Sequence, residues 1–233
     1  RSEHASARRR MGLRKRTKTL KQGTKTMTKV IVDIGCFNAR TQSLAHKLLH
    51  RKKEKWFGLM VEPNAHMKEE IFKSLKGTDF KYVHCAIDTK NGLGTLYMGK
   101  YGFFDRRSPA QKEKCMRSSL LKNEEYVSQH LTDEGQEVEL KTLKTLFEEN
   151  KIEKIDILKI DTEGNDSNII QSYEWGIYPK EIITEDFVAP RGKNTLAFEK
   201  RQEVIKEEKY AALKKAGYVL VKAEDCNSVW NLP

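Results

Sequence analysis

The stretch VIVDIGCFNA, residues 30–39, is the segment that decides the fold class of this chain. It starts as a short β-branched run and passes through Asp33 and Gly35 into residues 41–50, where Leu and Ala recur at helical spacing. A strand that turns at a glycine into a helix is typical of nucleotide-binding loops, and an ordinary strand–turn–helix connection has the same pattern. The stretch lacks a full GxGxxG, so it gives only weak support to a dinucleotide site.

The same alternation continues along the chain. Strand-like runs lie at residues 56–62, 80–87, 95–98, 156–161 and 181–187. Helix-like segments lie at residues 65–75, 142–150, 166–173 and 196–216. Residues 100–137 are polar with a weak pattern, and residues 218–222 and 228–232 indicate a closing antiparallel pair. We therefore predict an α/β fold with a doubly wound, mostly parallel, Rossmann-like sheet and an antiparallel C-terminal strand.

The positive charge is concentrated at one end of the chain. Residues 1–29 hold eleven basic side chains and one acid, a net charge of +10. The whole chain has 44 basic and 33 acidic residues, which leaves 33 and 32 for residues 30–233, a net charge of +1. This distribution predicts a basic N-terminal arm, residues 1–29, followed by one nearly neutral domain, residues 30–233.

Several protein classes are disfavoured by composition. No run approaches the roughly 18–20 apolar residues of a membrane span, and the N-terminus shows no apolar core of a secretory signal. The four cysteines are far apart without a CxxC pair, which argues against a zinc site and a disulfide framework. We expect an intracellular protein, mitochondrial if the Arg-rich, acid-poor N-terminus is a targeting segment and cytoplasmic otherwise.

Ligands of such sheets bind beyond the carboxyl ends of the strands. Glu62 follows the second strand, 27 residues after Gly35. An acid at this place can accept both ribose hydroxyls of an adenosine, although an exposed acid at a strand end is also common. The two strand ends support each other as parts of one site.

A third strand end carries alternating charges. Lys159, Asp161 and Glu163 fall on one side of an extended segment, where they are costly unless paired or functional. The structural interpretation of this pattern, as opposed to a functional one, is that Lys159 neutralises one of the two acids. Glu185 and Asp186 end another strand, and with Asp161 they offer oxygen ligands for a hard cation. No histidine lies near these motifs, and we predict no metal site.

Three motifs occur in order along the chain: VDIGCFNART at residues 32–41, VEPN at residues 61–64 and LKIDTEGND at residues 158–166. Together with the segment CAID at residues 85–88, they resemble the FkbM-type family of class I, S-adenosylmethionine (SAM)-dependent methyltransferases. The resemblance spans roughly residues 30–232. Its most specific part is LKIDTEGND, which is similar to the hallmark of the family.

The resemblance implies a set of site residues. The implied cofactor-binding residues are Asp33, Gly35, Cys36, Phe37, Asn38, Glu62, Ala86 and Ile87. Glu62 would bind the ribose hydroxyls, and Ala86 and Ile87 would border the adenine. Asp161 and, second to it, Glu163 would face the methyl-transfer site, where a carboxylate removes or orients a hydroxyl proton. The usual reaction of the family is O-methylation of a sugar, a polyketide or a similar small acceptor.

One position departs from the family pattern. Ala39 stands where the family normally has glycine. If that position requires a positive φ, alanine costs about 1–2 kcal/mol, whereas alanine fits if only close packing is required. Which of the two holds at Ala39 affects whether the loop is able to bind SAM. Asp166 stands where the hallmark has its last Glu, so the position keeps a carboxylate on a shorter side chain.

Two functions remain open from the sequence. The favoured one is a SAM-dependent methyltransferase that acts on a small hydroxyl acceptor. The alternative is a methyltransferase-like structural subunit, with reduced or no activity, of a large ribonucleoprotein such as a mitochondrial ribosome. In the alternative, residues 1–29 would anchor the domain through contacts with RNA phosphates or with the assembly. A solvated or targeting segment is the simpler account of those residues.

Overall fold

The computed structural model of the chain describes residues 28–39, 44–49, 54–99, 118–122, 131–186, 195–224 and 227–233. The basic arm, residues 1–29, lies outside the described residues except for its last two. Its separation from the domain therefore stays a prediction.

The described chain alternates strands and helices. The strands are β1 (Lys29–Ile34), β2 (Trp56–Val61), β3 (Phe80–Val83), β4 (Ala86–Ile87), β5 (Gly92–Gly99), β6 (Leu131–Lys141), β7 (Ile157–Ile160), β8 (Glu181–Glu185), β9 (Val219–Glu224) and β10 (Asn227–Asn231). The helices are α1 (Leu44–Leu49), α2 (Lys68–Leu75), α3 (Leu143–Glu149), α4 (Asp166–Ser172) and α5 (Thr195–Lys215), with a 3₁₀ turn at Ala65–Met67 before α2.

The main sheet has the strand order β3-β2-β1-β7-β8-β10-β9. Its first five strands pair in parallel, and β10 pairs antiparallel with both β8 and β9. This topology confirms the predicted doubly wound sheet with an antiparallel C-terminal strand. The order reverses between β1 and β7, so a crevice is expected at their carboxyl ends.

Both faces of the main sheet are covered. In β1, Ile31 belongs to an apolar cluster with α1 and α2, whereas its neighbour Val32 belongs to a second cluster with α3 and α4. Successive side chains of a strand point to opposite faces, so a strand covered on both sides reads as a continuous apolar run. This is why VIVDI and WFGLMV are mostly apolar, without a regular alternation of apolar and polar residues.

A second, three-stranded sheet was not predicted. Its order is β4-β6-β5, with β6 parallel to β4 and antiparallel to β5. The prediction of one strand over residues 80–87 was wrong, because β3 ends at Val83 in the main sheet and β4 belongs to the second sheet. The first half of β6 falls in the weakly patterned stretch, and residues 133–135 are exposed there, so alternation is missing.

The C-terminal helix α5 agrees with its prediction. It is followed by Gly217, whose φ of +97° suits a left-handed helix cap. The amides of Gly217 and Tyr218 donate to the carbonyls of Lys214 and Leu213, each at 3.0 Å. None of the helices in the described part of the chain combines the length and the apolarity that crossing a membrane requires.

Candidate functional site

The loop after β1 lies directly against the end of β7. Gly35 has a φ of +73°, and a Cβ at this position would lie 1.7 Å from the backbone oxygen of Asp161. The Asp161 amide donates to Ile34 O at 3.1 Å, and the Gly35 amide donates to Val61 O at 2.9 Å. Glycine is therefore required here by the protein's own backbone as well as by the turn.

The same loop contains two non-glycine residues with positive φ. Phe37 has φ +50° and Ala39 has φ +53°. Ala39 is fully buried in the apolar cluster under α1 and α2. The position that departs from the family pattern thus does require a positive φ, and alanine occupies it at a cost of about 1–2 kcal/mol. Burial of its methyl group offsets about 0.8 kcal/mol of that cost.

Glu62 is a buried carboxylate at the end of β2. Its Oε2 accepts the Phe37 amide and its Oε1 accepts the Asn64 amide, each at 2.9 Å. Burial raises the pKa of Glu62 to about 7, even though both amides favour the charged form. Each carboxylate oxygen keeps a further lone pair, so Glu62 is able to accept two hydroxyl donors while it stays anchored.

An open cavity of about 750 Å³ lies at the carboxyl ends of β1, β2 and β7. The predicted site residues that line it are Gly35, Phe37, Glu62, Ala86, Ile87, Asp161 and Glu163. The structure thus brings the glycine loop, the acid after β2 and the acids after β7 to one cavity.

Three predicted cofactor residues do not line this cavity. Asp33 is fully buried, and its Oδ1 lies 3.7 Å from Lys159 Nζ. Cys36 is buried in the cluster under α1 and α2, and burial raises the pKa of its thiol well above the ordinary value. The backbone oxygen of Asn38 accepts the Ser74 hydroxyl at 3.2 Å. In this structure these three residues contact the protein interior and the neighbouring backbone, not the cavity.

The charged residues at the end of β7 are paired. Lys159 Nζ lies 2.9 Å from Asp161 Oδ2, and Lys159 is also the register partner of Asp33 across the β1–β7 pair. Burial opposes the charge of Lys159, but the two acids outweigh burial and raise its pKa above the ordinary value. The structural interpretation of Lys159 is therefore correct. Asp161 nevertheless lines the cavity.

The turn that carries Glu163 is strained and held from two sides. Glu163 has φ +51° and Gly164 has φ +106°. The buried carboxylate of Asp166 accepts the Thr162 amide at 2.8 Å, and the hydroxyl of Ser119 donates to Glu163 O at 3.1 Å. Uncommon backbone conformations persist where surrounding contacts fix them, and they cluster at functional sites.

Asn165 is a site residue that the sequence did not single out. Its side-chain amide donates to Ile87 O at 3.4 Å and to Asp88 Oδ1 at 3.2 Å, and the residue is buried. It thereby ties the turn after β7 to β4, the predicted adenine side of the cavity. The only indication in the sequence is its place inside the motif LKIDTEGND.

The acids after β8 do not form a metal site with Asp161. Asp186 Oδ1 lies 2.8 Å from the buried Lys209 Nζ, and Tyr210 donates its hydroxyl to Asp186 Oδ2. Burial, together with the charges of Asp161 and Glu163, raises the pKa of Glu185 to about 9. Within the described ranges, no group of three or more His, Cys, Asp or Glu is arranged to hold a metal ion.

Comparison with a protein-family model supports the methyltransferase resemblance. The search of curated proteins finds no match. Among solved structures, the chain is similar to a Methanococcus jannaschii fibrillarin pre-rRNA processing protein, with 13% identity and a TM-score of 0.45. That similarity covers 88% of this chain and 66% of the fibrillarin chain. The family model of the FkbM methyltransferase domain matches residues 33–219. This chain therefore belongs to the FkbM methyltransferase domain family.

Proposed function

We propose that this chain binds SAM in the cavity and catalyses methyl transfer to a hydroxyl oxygen of a small acceptor. The observation that carries the proposal is that one cavity joins Gly35 and Glu62 on one side to Asp161 and Glu163 on the other. Membership of a methyltransferase family implies SAM use in general.

The residues at the cofactor side suit an adenosine. Glu62 offers two carboxylate oxygens that the amides of Phe37 and Asn64 hold in place, which is the acceptor arrangement that two ribose hydroxyls need. Ala86 and Ile87 are both buried apolar residues that border the cavity, as expected of a surface against a flat base.

The residues at the other side suit a hydroxyl acceptor. When bound, SAM would supply an electrophilic methyl carbon on its sulfonium: the acceptor oxygen would bond to this carbon as the carbon–sulfur bond breaks and the neutral thioether leaves. Asp161 pairs with Lys159 Nζ at 2.9 Å and lines the cavity, so its carboxylate would accept the hydrogen bond of the acceptor hydroxyl and orient its oxygen. Glu163 also lines the cavity and is the second candidate for the departing proton.

The direct test is calorimetry of the purified full chain with SAM. We expect micromolar affinity and a rise in the melting temperature when SAM is added. As a matched pair, Glu62→Gln should weaken SAM binding at least about tenfold, because an amide offers one acceptor oxygen where the carboxylate offers two. Glu69→Gln on the exposed face of α2 should leave it unchanged. The absence of both binding heat and a thermal shift in the wild-type protein would contradict the proposal.

The role of residues 1–29 is a separate proposal. Their net charge of +10 supports contact with RNA phosphates or with a large assembly, and such contact is compatible with enzymatic activity. Deletion of residues 1–27 should then shift the protein from fast-sedimenting to slow-sedimenting fractions of a cell extract. Unchanged sedimentation would argue for a solvated or targeting segment.

A further inference from the structure

The second sheet touches the site at two places, one on each wall of the cavity. We propose that Gln136 on β6 and Ser119 beside β5 are positioning residues, through which the second sheet holds the Glu62 loop and the Glu163 turn at a fixed separation. This inference rests on the proposed function, because it assigns a role in SAM binding to residues outside the cofactor motifs.

Gln136 binds the backbone on both sides of Asn64. Its Nε2 donates to Pro63 O at 3.1 Å, and its Oε1 accepts the Ala65 amide at 3.2 Å. Asn64 lies between these two contacts, and its own amide is one of the two donors that hold the Glu62 carboxylate. A shift of this segment would therefore move a donor that orients Glu62.

Ser119 makes the equivalent contact on the opposite wall. Its hydroxyl donates to Glu163 O at 3.1 Å, and its backbone forms an antiparallel bridge with Tyr97 of β5, with N–O distances of 2.9 and 3.0 Å. Lys122 adds a second link, because its Nζ lies 4.6 Å from the centre of the Tyr97 ring and 2.9 Å from Asp133 of β6.

The two contacts are joined through adjacent strand positions. Tyr97 pairs with Ser119 on one side and with Gly135 on the other, and Gly135 precedes Gln136. A short path of hydrogen bonds, strand pairing and backbone therefore runs from Glu163 through Ser119, Tyr97 and β6 to Pro63. Positioning of this kind preserves the site geometry on which cofactor affinity depends, since small displacements of binding groups are costly.

The first experiment measures SAM affinity of the full chain by calorimetry. Gln136→Leu keeps a similar side-chain size and removes both hydrogen bonds, and we expect SAM binding to weaken about tenfold. The matched control is Glu134→Leu, an exposed position two residues earlier on the same strand. We expect the control to stay within about twofold of wild type.

A double-mutant cycle separates positioning from general loosening of the protein. If Gln136 acts through Glu62, Gln136→Leu should cost about tenfold in the wild-type background and less than about twofold in the Glu62→Gln background. Equal losses in both backgrounds would overturn the assignment of Gln136 as a positioning residue for Glu62.

Hydrogen exchange of the ligand-free chain tests the two contacts directly. Gln136→Leu should speed exchange of the Ala65 amide, and Ser119→Ala should speed exchange of the Leu121 amide, which donates to the Ser119 hydroxyl. Ser119→Ala should also speed exchange over residues 161–166. Ser118→Ala is the control, because the Ser118 hydroxyl contacts Met98 Sδ at 3.7 Å and not the turn.

The outcomes are distinguishable. Wild-type SAM binding with unchanged affinity in Gln136→Leu, or unchanged exchange in both variants, overturns this inference and leaves the proposed function standing. Absence of SAM binding by the wild-type chain overturns both. Weakened binding in Gln136→Leu with faster exchange at Ala65, and faster exchange over residues 161–166 in Ser119→Ala, supports the inference.

Discussion

The ammonium of Lys159 lies 2.9 Å from the carboxylate of Asp161 and pairs with it at the point where β7 enters the cavity. The same ammonium lies 3.7 Å from the fully buried Asp33. The Lys159 ammonium thus pairs with two acids, of which Asp161 lines the cavity and Asp33 is buried in the protein interior. Its removal would affect folding and chemistry together.

Replacement of Lys159 by Met should strongly destabilise the protein. The variant removes the ammonium that lies 3.7 Å from the fully buried Asp33, and breaking a buried ion pair typically costs about 3–5 kcal/mol in the free energy of unfolding. Urea denaturation of wild type and variant measures this loss. Lys73→Met, which removes an exposed i,i+4 pair with Glu69, should leave the midpoint unchanged. Equal midpoints for all three proteins would show that Lys159 has no such role.

Gly35→Ala and Gly77→Ala form a matched pair, because both glycines have similar φ values, +73° and +78°. A Cβ on Gly77 meets no atom within 4 Å, so only the backbone conformation is penalised, by about 1–2 kcal/mol. A Cβ on Gly35 would also collide with the Asp161 backbone. We expect Gly35→Ala to lose several times more stability in denaturant unfolding, together with SAM affinity. Similar losses for the two variants would contradict the steric argument.

The affinity for SAM should rise with pH around the pKa of Glu62. Burial raises this pKa to about 7, and two hydroxyl donors favour the ionised carboxylate, so binding should strengthen from about pH 6 to about pH 8 and then level off. Calorimetry across this interval measures the effect, and Glu62→Gln should show a flatter profile. A wild-type profile that is flat over the same interval would argue against ribose binding by Glu62.

The same pKa has a consequence for stability. Glu62 has a higher pKa in the folded chain than in the unfolded chain, so the folded state binds more protons between about pH 4.5 and pH 7. The contribution of Glu62 to the free energy of unfolding should therefore decrease as pH rises through this window and stay constant above it. Denaturant unfolding of wild type and Glu62→Gln at several pH values isolates this contribution.

Ala39→Gly should change stability only slightly. Glycine relieves a positive φ that costs alanine about 1–2 kcal/mol, but it forfeits a buried methyl group worth about 0.8 kcal/mol. We expect the variant to be at most about 1 kcal/mol more stable in urea, with SAM affinity within about threefold of wild type. A tenfold gain in affinity would instead show that Ala39 holds the loop away from the cofactor.

Local patterns were sufficient for much of the cofactor side. The apolar runs that form β1, β2 and β7, the glycine turn at Gly35 and the acid at Glu62 all depend on neighbouring residues, and each is found where the sequence indicated. Local patterns did not predict that Asp33 and Cys36 are buried away from the cavity. Side chains of one short motif alternate in direction, so only some of them reach the cavity.

The sequence by itself determined the doubly wound sheet and its antiparallel closing strand, because strand periodicity is a local property. Its resemblance to the FkbM family indicated the two acids, Asp161 and Glu163, that line the cavity. Only the tertiary structure decided which side chains meet across the cavity. Gln136 contacts Pro63 over 73 positions of the chain, and Ser119 contacts Glu163 over 44. Such contacts follow from how the two sheets pack together. The polar residues that make them show no periodic pattern in the sequence, so they are not predictable from it.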